Sequence, residues 1–544
     1  MSGSLRTSLV VLAVVGLFGC QSVPLDYGML TDKISDGELV PIDELRSTFL
    51  ELEDLSERIE RLIELESQAM QLVEDAPLKL GAIGQAILDT YYGSLTGHYV
   101  LERFYSHLES FEAATPHQEW LTRIRLDMES DATGSRDQPY PAMTATEAQM
   151  YAISLGMSPV GSIYETSAQF PYSMLLQAHP REGGIRNMHF DLHGVYEAMR
   201  REFQGEMKFS PFALIGYQAK RGDTAAQAAI GRFLASQNRF DEAINWLRGS
   251  SRTGNLQANA MLAQIYLQRA SQESDPDLKQ AALDEVLENY LHAVALGSTD
   301  AMYALGVLYL NEHYGPDNKS SGVPLLKQAA ELEHSDAAMF LAHMHYTGEA
   351  VERDLDAAST YYVQSSELEN AFARRAYARF LLAEQRADPR AIAWLRELAR
   401  DDDAESMLLL GNLHARGVGV KPSPRRAVGW YKDAVKVSPD DANIVNEVTW
   451  TLTVSDLKRL KRARYALTIM DDLMSNDEDA RSKPEYLDTW AAAHAANGDF
   501  GRAISIQEEA VEAAKAEQYE SVREIIEQHL DEFKNGRTIT EPAP

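Results

Sequence analysis

The chain has 544 residues and a formal net charge of −31, from 82 acidic and 51 basic side chains. So acidic a balance excludes attachment to nucleic acid or to anionic lipid through a general basic field. Because Cys20 is its only cysteine, the chain has no internal disulfide, and its stability must come from buried apolar area. The length predicts two or three domains.

The N-terminal segment is predicted to be a secretory signal. Arg6 precedes the apolar run "SLVVLAVVGLF", and this run is shorter than the roughly 20 residues that a membrane-spanning helix needs. Leu17, Gly19 and Cys20 then resemble the lipobox of bacterial lipoproteins, although Phe18 is bulkier than usual there. The resemblance implies a covalent lipid on Cys20, with no other cofactor, that anchors the chain to a membrane. An uncleaved anchor or a free thiol near a cleaved end is the alternative.

The residues after the cysteine bear on location. In lipoproteins of bacteria with two membranes, an aspartate at this point tends to retain the protein in the inner membrane, and this chain has Gln21 and Ser22. The resemblance therefore implies the outer membrane, facing the periplasm. After the signal at 1–20, residues 21–40 show no clear periodicity and are predicted to be a tether.

Residues 41–205 are predicted to form a mostly helical α+β domain of unknown family. Leu45, Leu52 and Ile59 recur every seven residues and predict one amphipathic helix of about 30 residues, although Glu66 interrupts the pattern. This helix could be a coiled-coil arm or could pack within its own domain. Further along lie a β-hairpin and a closing helix, with strands Met174–Ala178 and Ile185–Leu192, a turn at Pro180–Gly184, and a helix over Val195–Phe203.

From Pro211 onward the sequence repeats itself. Small residues recur at intervals of 32, 43, 36, 36 and 33 residues, at Gly231, Ala263, Gly306, Ala342, Ala378 and Gly411. A larger residue follows each of them three positions later, at Leu234, Tyr266, Tyr309, His345, Leu381 and His414, and weaker copies follow at Thr449/Leu452 and Ala491/His494. This period predicts one helical hairpin per repeat: the small residue lets two helices approach, and neighbouring hairpins stack to bury their apolar faces.

Two of these units carry a specific resemblance. The segment "LLLGNLHARGVGVKPSPRRAVGWYKDAV" matches through Leu410, Gly411, Gly417, Gly419, Val420, Ala427, Trp430 and Ala434, and "AMFLAHMHYTGEAVERDLDAASTYYVQSS" through Leu341, Gly348, Asp354, Ala358 and Tyr361. Both resemble the Sel-like (SLR) branch of the tetratricopeptide repeat family. The resemblance implies a mainly α fold, with a right-handed α/α superhelix over 206–525 beside the smaller N-terminal α+β domain. Residues 526–544 are predicted to be a helix end and a disordered tail.

Proteins of this family are interaction scaffolds whose first helices line a concave face, and their ligands are usually segments of other proteins. The family's inward-facing positions fall here on Tyr303, Val307, Met339, His343, Tyr346, Arg375, Arg379, Asn412 and Arg416. Many of these side chains could equally pack or be solvated. The three arginines could form a local basic stripe for an acidic peptide or an anionic polysaccharide.

No phosphate-binding loop, nucleophile elbow or zinc-cysteine motif is present in the sequence, so no catalytic residue is predicted. The stretch "HFDLH" offers a weak metal site, because His189, Asp191 and His193 share one face if the segment is extended. Equally, Asp191 could cap the next helix while both histidines lie at the hairpin surface. The histidines at 343 and 345 are predicted to point to different sides of a helix.

The first hypothesis is a lipid-anchored periplasmic scaffold that binds other envelope proteins and supports the assembly or export of an envelope polymer. A second hypothesis, of another class, is an enzyme whose site lies in 41–205 and whose repeats select the substrate. A third is direct binding of an acidic glycan along the arginine stripe.

Overall fold

The computed structural model of the chain describes residues 26–73, 76–202, 209–311, 319–516 and 519–542. Contacts divide the chain into two compact units, Met1–Ser298 (unit 1) and Thr299–Pro544 (unit 2). This division differs from the predicted boundary at 205/206, because the first two repeats belong to unit 1. Cys20 and the signal lie outside the described residues. In the part described, no helix has both the length and the apolarity to cross a membrane.

The N-terminal part of unit 1 is mostly helical and carries a small sheet. Its helices are α1 (Tyr27–Ser35), α2 (Ile42–Phe49), α3 (Leu55–Leu72), α4 (Leu80–Thr90), α5 (Leu95–His107), α6 (Phe111–Glu129), α7 (Ala145–Ser154) and α8 (His193–Glu202). The repeat helices of this unit are α9 (Pro211–Lys220), α10 (Thr224–Ser236), α11 (Phe240–Ser251), α12 (Leu256–Gln272) and α13 (Pro276–Ala295).

The predicted tether is wrong for the residues described. Helix α1 buries Tyr27 and Leu30, and Val40 is also buried. The Tyr27 hydroxyl accepts a hydrogen bond from the backbone N–H of Tyr92 at 2.9 Å, which fixes the helix to the rest of the unit. A short apolar stripe therefore suffices to dock this segment, although it is too brief to show a clear period in the sequence.

The predicted 30-residue helix is two helices, α2 and α3, with a turn between Phe49 and Leu55. The turn lets each helix aim its own apolar stripe, with Leu45 and Ile59 fully buried, at one common core. Glu66, which interrupts the heptads, is also fully buried and accepts a hydrogen bond from the Ser94 hydroxyl at 3.3 Å. Burial, together with the charge of nearby Glu147, raises the pKa of Glu66 to about 8.

The sheet of unit 1 has the strand order β1-β4-β3-β2, with β1 (Tyr140–Pro141), β2 (Ser158–Glu165), β3 (Ser173–His179) and β4 (Arg186–Asp191). The predicted hairpin is confirmed, because β3 and β4 pair antiparallel with Leu175 opposite His189. The helix predicted after it is α8. Strand β2 was not predicted, and it pairs antiparallel with β3 through Ile163 opposite Leu175.

Unit 2 consists of helical hairpins in sequence. Its helices are α14 (Thr299–Leu310), α15 (Lys319–Glu331), α16 (Ser335–Thr347), α17 (Leu355–Glu367), α18 (Ala371–Ala383), α19 (Pro389–Arg400), α20 (Ala404–Arg416), α21 (Pro424–Val437), α22 (Ala442–Val454), α23 (Ala463–Asn476), α24 (Glu478–Arg481), α25 (Pro484–Ala496), α26 (Phe500–Ala513) and α27 (Glu520–Lys534). The predicted fold class is confirmed: mainly α, with stacked helical hairpins and a smaller α+β part that contains a β-hairpin.

The small residues let the two helices of a hairpin approach each other closely, as predicted. A methyl group on Gly411 of α20 would overlap the ring of Tyr431, which is fully buried on the second helix of the same hairpin. On α21 the aromatic residue that fills this interface is Tyr431, whereas the neighbouring Trp430 is half-buried. A residue four positions after Ala427 lies nearer the same helix face than one three positions after it.

The predicted disordered tail is wrong for residues 535–542. Ile539 is buried, and the backbone N–H of Glu541 donates to the carbonyl of Val454 at 2.9 Å. The carbonyl of Glu541 accepts from the N–H of Asp456 at 2.7 Å. An extended segment of the chain is thus bound at the C-terminal end of α22.

Candidate functional site

Three positions recur on the first helix of each repeat and can be counted from its small residue. Eight residues before it lies the residue that caps the helix N-terminus: Asp223, Asn255, His334, Asn370, Asp403 and Asp441. We call this the cap position, the residue three before the small one the groove position, and the residue one after it the rim position. The surface that these positions share is the first-helix face.

In unit 1, strand β2 covers the first-helix face of α10 and α12. The side chain of Asn255, at the cap position of α12, holds the backbone of Ser162 in β2. Its Nδ2 donates to the carbonyl of Ser162 at 2.8 Å, and its Oδ1 accepts from the N–H of Ser162 at 3.4 Å. Gly161 permits this approach, because a Cβ there would lie 3.0 Å from Cβ of Leu256 and 3.2 Å from its backbone nitrogen.

The neighbouring repeat contributes charged side chains that also bind β2. We call the contacts that Asn255, Arg232 and Asp223 make with β2 the β2 clasp. Arg232, at the rim position of α10, donates to the carbonyl of Tyr164 at 3.2 Å and pairs with Glu165 at 3.1 Å. The Tyr164 hydroxyl donates to the carboxylate of Asp223, at the cap position, at 3.2 Å. Hydrogen bonding to His189, together with Arg232, lowers the pKa of Glu165 to about 2 against the effect of its burial. The repeat thus recognises both the backbone and the side chains of an extended strand.

The residues predicted to face inward in unit 2 do lie on its first helices, but many of them pack. Tyr303 stacks on His334 with ring centroids 5.0 Å apart, and Tyr346 meets Phe380 edge-on at 5.5 Å. Val307 and Met339 are half-buried and His343 is exposed. As predicted, the histidines at 343 and 345 point to different sides, since His345 stacks on Tyr361 of the second helix.

The three arginines predicted to form a basic stripe do not form a surface of uncompensated positive charge. Arg375 is largely buried and pairs with Asp403 at 2.8 Å and Glu405 at 2.7 Å. Arg379 also pairs with Glu405, and burial together with the nearby Arg375 lowers its pKa. Arg416 donates to the carbonyl of Leu382 at 3.2 Å. The following repeat thus supplies carboxylates to the first two arginines and leaves little positive charge for an outside anion.

Between α18, α20 and α22 the first-helix face forms a groove of about 730 Å³. Asn412, at the rim position of α20, accepts a hydrogen bond from the Tyr431 hydroxyl at 2.8 Å, so its amide is held in place. The apolar floor of the groove is Leu382, Leu408, Leu409 and Ile444, and its charged walls are Arg379, Asp402, Asp403, Glu405, Asp441 and Glu447. The open groove is therefore acidic overall.

The "HFDLH" residues are not gathered into one site. His189 pairs with Glu165 at 3.4 Å, and His193 begins helix α8. Asp191 accepts the backbone N–H of His193 at 2.8 Å, which is the capping role left open by the sequence. Across the described ranges, no three His, Cys, Asp or Glu side chains are placed to hold a metal ion.

Paired helices of this kind define a helical-repeat protein. Residues 299–334, 335–370 and 404–436 match the Sel1 repeat family, so the chain contains Sel1 repeats. Repeats of this type generally bind protein partners on an extended concave surface.

Curated relatives share parts of the chain. The Sel1-repeat-containing protein YjcO of Escherichia coli strain K12 is 26% identical over 166 residues, which is 30% of this chain and 67% of YjcO. A Sel1-like repeat-containing protein of Acanthamoeba polyphaga mimivirus, L21, is 28% identical over 96 residues, 18% of this chain and only 16% of the viral protein. The solved structure of c5321, a protective antigen of uropathogenic Escherichia coli with an SLR fold, is 15% identical, with a TM-score of 0.42 over 92% of this chain and 97% of its own.

Proposed function

We propose that the chain is a lipid-anchored scaffold of the bacterial outer membrane, facing the periplasm. In this proposal the first-helix face of unit 2 binds extended segments of other envelope proteins and so supports the assembly or export of an envelope polymer. The observation that carries the binding is the β2 clasp. The chain already uses the cap and rim positions of one pair of repeats to hold an extended strand, and unit 2 presents the same positions along an open groove.

Site-specific photo-crosslinking in the envelope tests the binding face. A photoreactive residue replaces His343 or Asn443, which are exposed on the first helices α16 and α22, and in matched controls it replaces Thr360 or Lys436, which are exposed on the second helices α17 and α21. We expect discrete crosslinked proteins from the first pair only. Equal products from both pairs, or products from the second helices alone, would show that partners bind elsewhere.

The anchor has its own test. Cys20→Ser removes the only thiol to which a lipid could be attached. We expect the variant to leave the membrane fraction and enter the soluble periplasmic fraction, because stable anchoring of such a protein depends on its acyl chains. Retention of the variant in the membrane fraction would contradict the lipid anchor.

The residues on which the enzyme and glycan hypotheses rested have other partners in the structure. The enzyme hypothesis relied on His189, Asp191 and His193, which have separate partners. The glycan hypothesis relied on arginines of which Arg375 and Arg379 are paired with carboxylates of the next repeat. Protein binding is the activity that the geometry supports best.

A further inference from the structure

A second pocket, of about 250 Å³, lies one step further along the first-helix face, between α22, α25 and α27. Asn446 is at the groove position of α22 and Trp450 at its rim position, while Asp488 is at the groove position of α25. Trp450 therefore occupies the position that Arg232 occupies in the β2 clasp. There, the rim side chain binds a side chain of opposite charge on the extended strand.

The charge of this pocket is one-sided. Glu447, Glu485, Asp488 and Glu541 line it, and among the residues that the structure describes no lysine or arginine does. Asp488 is matched by His529, 2.9 Å away, where hydrogen bonding and the charge of Asp488 outweigh burial and raise the pKa of the imidazole. Glu541 accepts a hydrogen bond from the Trp450 indole at 3.0 Å. Glu485 is exposed, whereas partial burial raises the pKa of Glu447 against the opposing charge of Arg379 in the neighbouring groove. Within the part of the chain that is described, neither carboxyl group forms an ion pair with a lysine or an arginine at contact distance.

A second observation is independent of charge. The Oδ1 atom of Asn446 is buried and has no hydrogen-bond partner among the described residues. A buried acceptor without a donor is unfavourable, and a donor entering the pocket would satisfy it. The pocket thus offers oxygen acceptors and an aromatic ring, and a tryptophan ring attracts a nearby cation.

The spread of these groups favours an organic cation over a metal ion. In the described residues no three carboxylates and imidazoles converge as metal ligands do. Glu447 also lines the neighbouring groove between α18 and α22, so the pocket opens onto the surface proposed to bind extended segments. A lysine or arginine side chain on such a segment could reach the pocket while its backbone follows the groove.

We infer that this pocket receives a lysine or arginine side chain from an extended, basic segment of the partner protein. The inference rests on the proposed function and adds the chemistry of the partner. It also reverses the expectation from the sequence that the face would bind an acidic peptide.

Fluorescence anisotropy with labelled peptides and the full chain tests this inference. The probe is an alanine-glycine peptide with arginine at alternate positions, compared with the same peptide carrying glutamine or glutamate there. We expect the arginine peptide alone to bind, more weakly at high salt. Glu447→Gln/Glu485→Gln is expected to weaken it about tenfold, because charge-assisted hydrogen bonds are lost. The matched control is Glu509→Gln/Glu524→Gln, which removes the same charge from exposed sites outside the pocket and should leave binding unchanged.

Equal binding of the arginine and glutamine peptides, or equal weakening by the control pair, would overturn the inference. A third variant, Trp450→Leu, is expected to weaken the arginine peptide more than a lysine peptide, because guanidinium stacks on aromatic rings. The proposed function and this inference can be contradicted independently of each other. If His343 and Asn443 crosslink partners but arginine peptides show no preference, the scaffold stands and the basic segment is wrong.

Discussion

The same repeat architecture serves two purposes in this chain. In unit 1 the first-helix face of α10 and α12 is occupied by strand β2, whereas in unit 2 the corresponding face between α18, α20 and α22 is an open groove. The side chain of Asn255 caps its own helix and also binds the backbone of Ser162, whereas that of Asp441 caps its own helix and lines the open groove. In unit 1 the repeats therefore hold an extended segment of their own chain, whereas in unit 2 the same positions line an open groove.

Side-chain size at the groove position separates the two cases. Unit 1 has Ala228 and Ala260 there, so a strand can lie close to the helices. Unit 2 has Met339, Arg375 and Leu408 at successive groove positions. A ligand in unit 2 therefore cannot approach as closely as β2 does, and its side chains must enter the spaces between these residues.

In both units the two helices of a hairpin pack through the small residue, as at Gly231 and Gly411, and Gly411→Ala would disturb that packing. The added methyl group overlaps the buried ring of Tyr431, so we expect a loss of about 3 kcal/mol in the free energy of unfolding. The control Gly429→Ala lies inside helix α21 with no atom within 4 Å of the added group. It should be neutral or should stabilise the chain by about 0.5–1 kcal/mol.

Urea unfolding followed by circular dichroism measures both variants. Similar midpoints for Gly411→Ala and the parent chain would mean that the hairpin tolerates a larger residue at this position. The small residue would then have no structural meaning in the repeat.

The second prediction compares the two cap residues. Asn255→Ala removes a helix cap and both hydrogen bonds to buried Ser162, so we expect a loss of about 2–3 kcal/mol. Asp441→Ala removes only the bonds to the N–H groups of Asn443 and Ile444, which is worth about 1 kcal/mol. The same unfolding measurement checks the pair.

Equal losses for these two alanine variants would contradict the distinction between an occupied and an open face. As a check on folding, Asn255→Ser retains a side chain able to cap the helix but loses the bonds to the backbone of Ser162. It should fall between the parent chain and Asn255→Ala.

Local pattern revealed much of this fold. The alternation around Leu175 and His189 predicted the hairpin, and the spacing of the small residues predicted the repeat hairpins. Strand β2 was not predicted, because Pro159 and Gly161 are residue types that are typical of loops. Its glycine is explained by the close approach to α12, and Asn255, which holds the backbone of Ser162, lies 93 positions away along the chain. A contact between residues so far apart along the chain leaves no local sequence pattern.

The candidate site was less accessible to sequence reasoning. The inward-facing positions followed from the repeat register, but their charge balance did not. Arg375 looked unpaired because its partners, Asp403 and Glu405, belong to the next repeat. Trp450 and Asn446 lie in a weak copy whose register was visible through Thr449 and Leu452 alone. In a stacked array, the neighbour of a side chain lies about one repeat away, so the charge of a surface must be read across repeats.

The smallest expected effect concerns the pH dependence of the β2 clasp. Glu165 has a pKa of about 2 in the folded chain and about 4.5 as an unperturbed group, so the unfolded state binds more protons between these values. Its contribution to stability is therefore complete above about pH 4.5 and is lost as the pH falls toward 2. Because Glu165 is mostly buried while Arg232 is partly exposed, we expect Glu165→Gln to cost about 1–2 kcal/mol at pH 7.

The difference between Glu165→Gln and the parent chain should shrink as the pH falls, and the two unfolding curves should converge near pH 2. Glu242→Gln is the control, since its pair with Arg239 is fully exposed and should show little change at any pH. A difference for Glu165→Gln that stays constant with pH would mean that the carboxyl group acts through packing and that charge has no part in the clasp. The first-helix face would then hold β2 without a contribution from the charge of Glu165, and the rim position would lose its role in selecting charge.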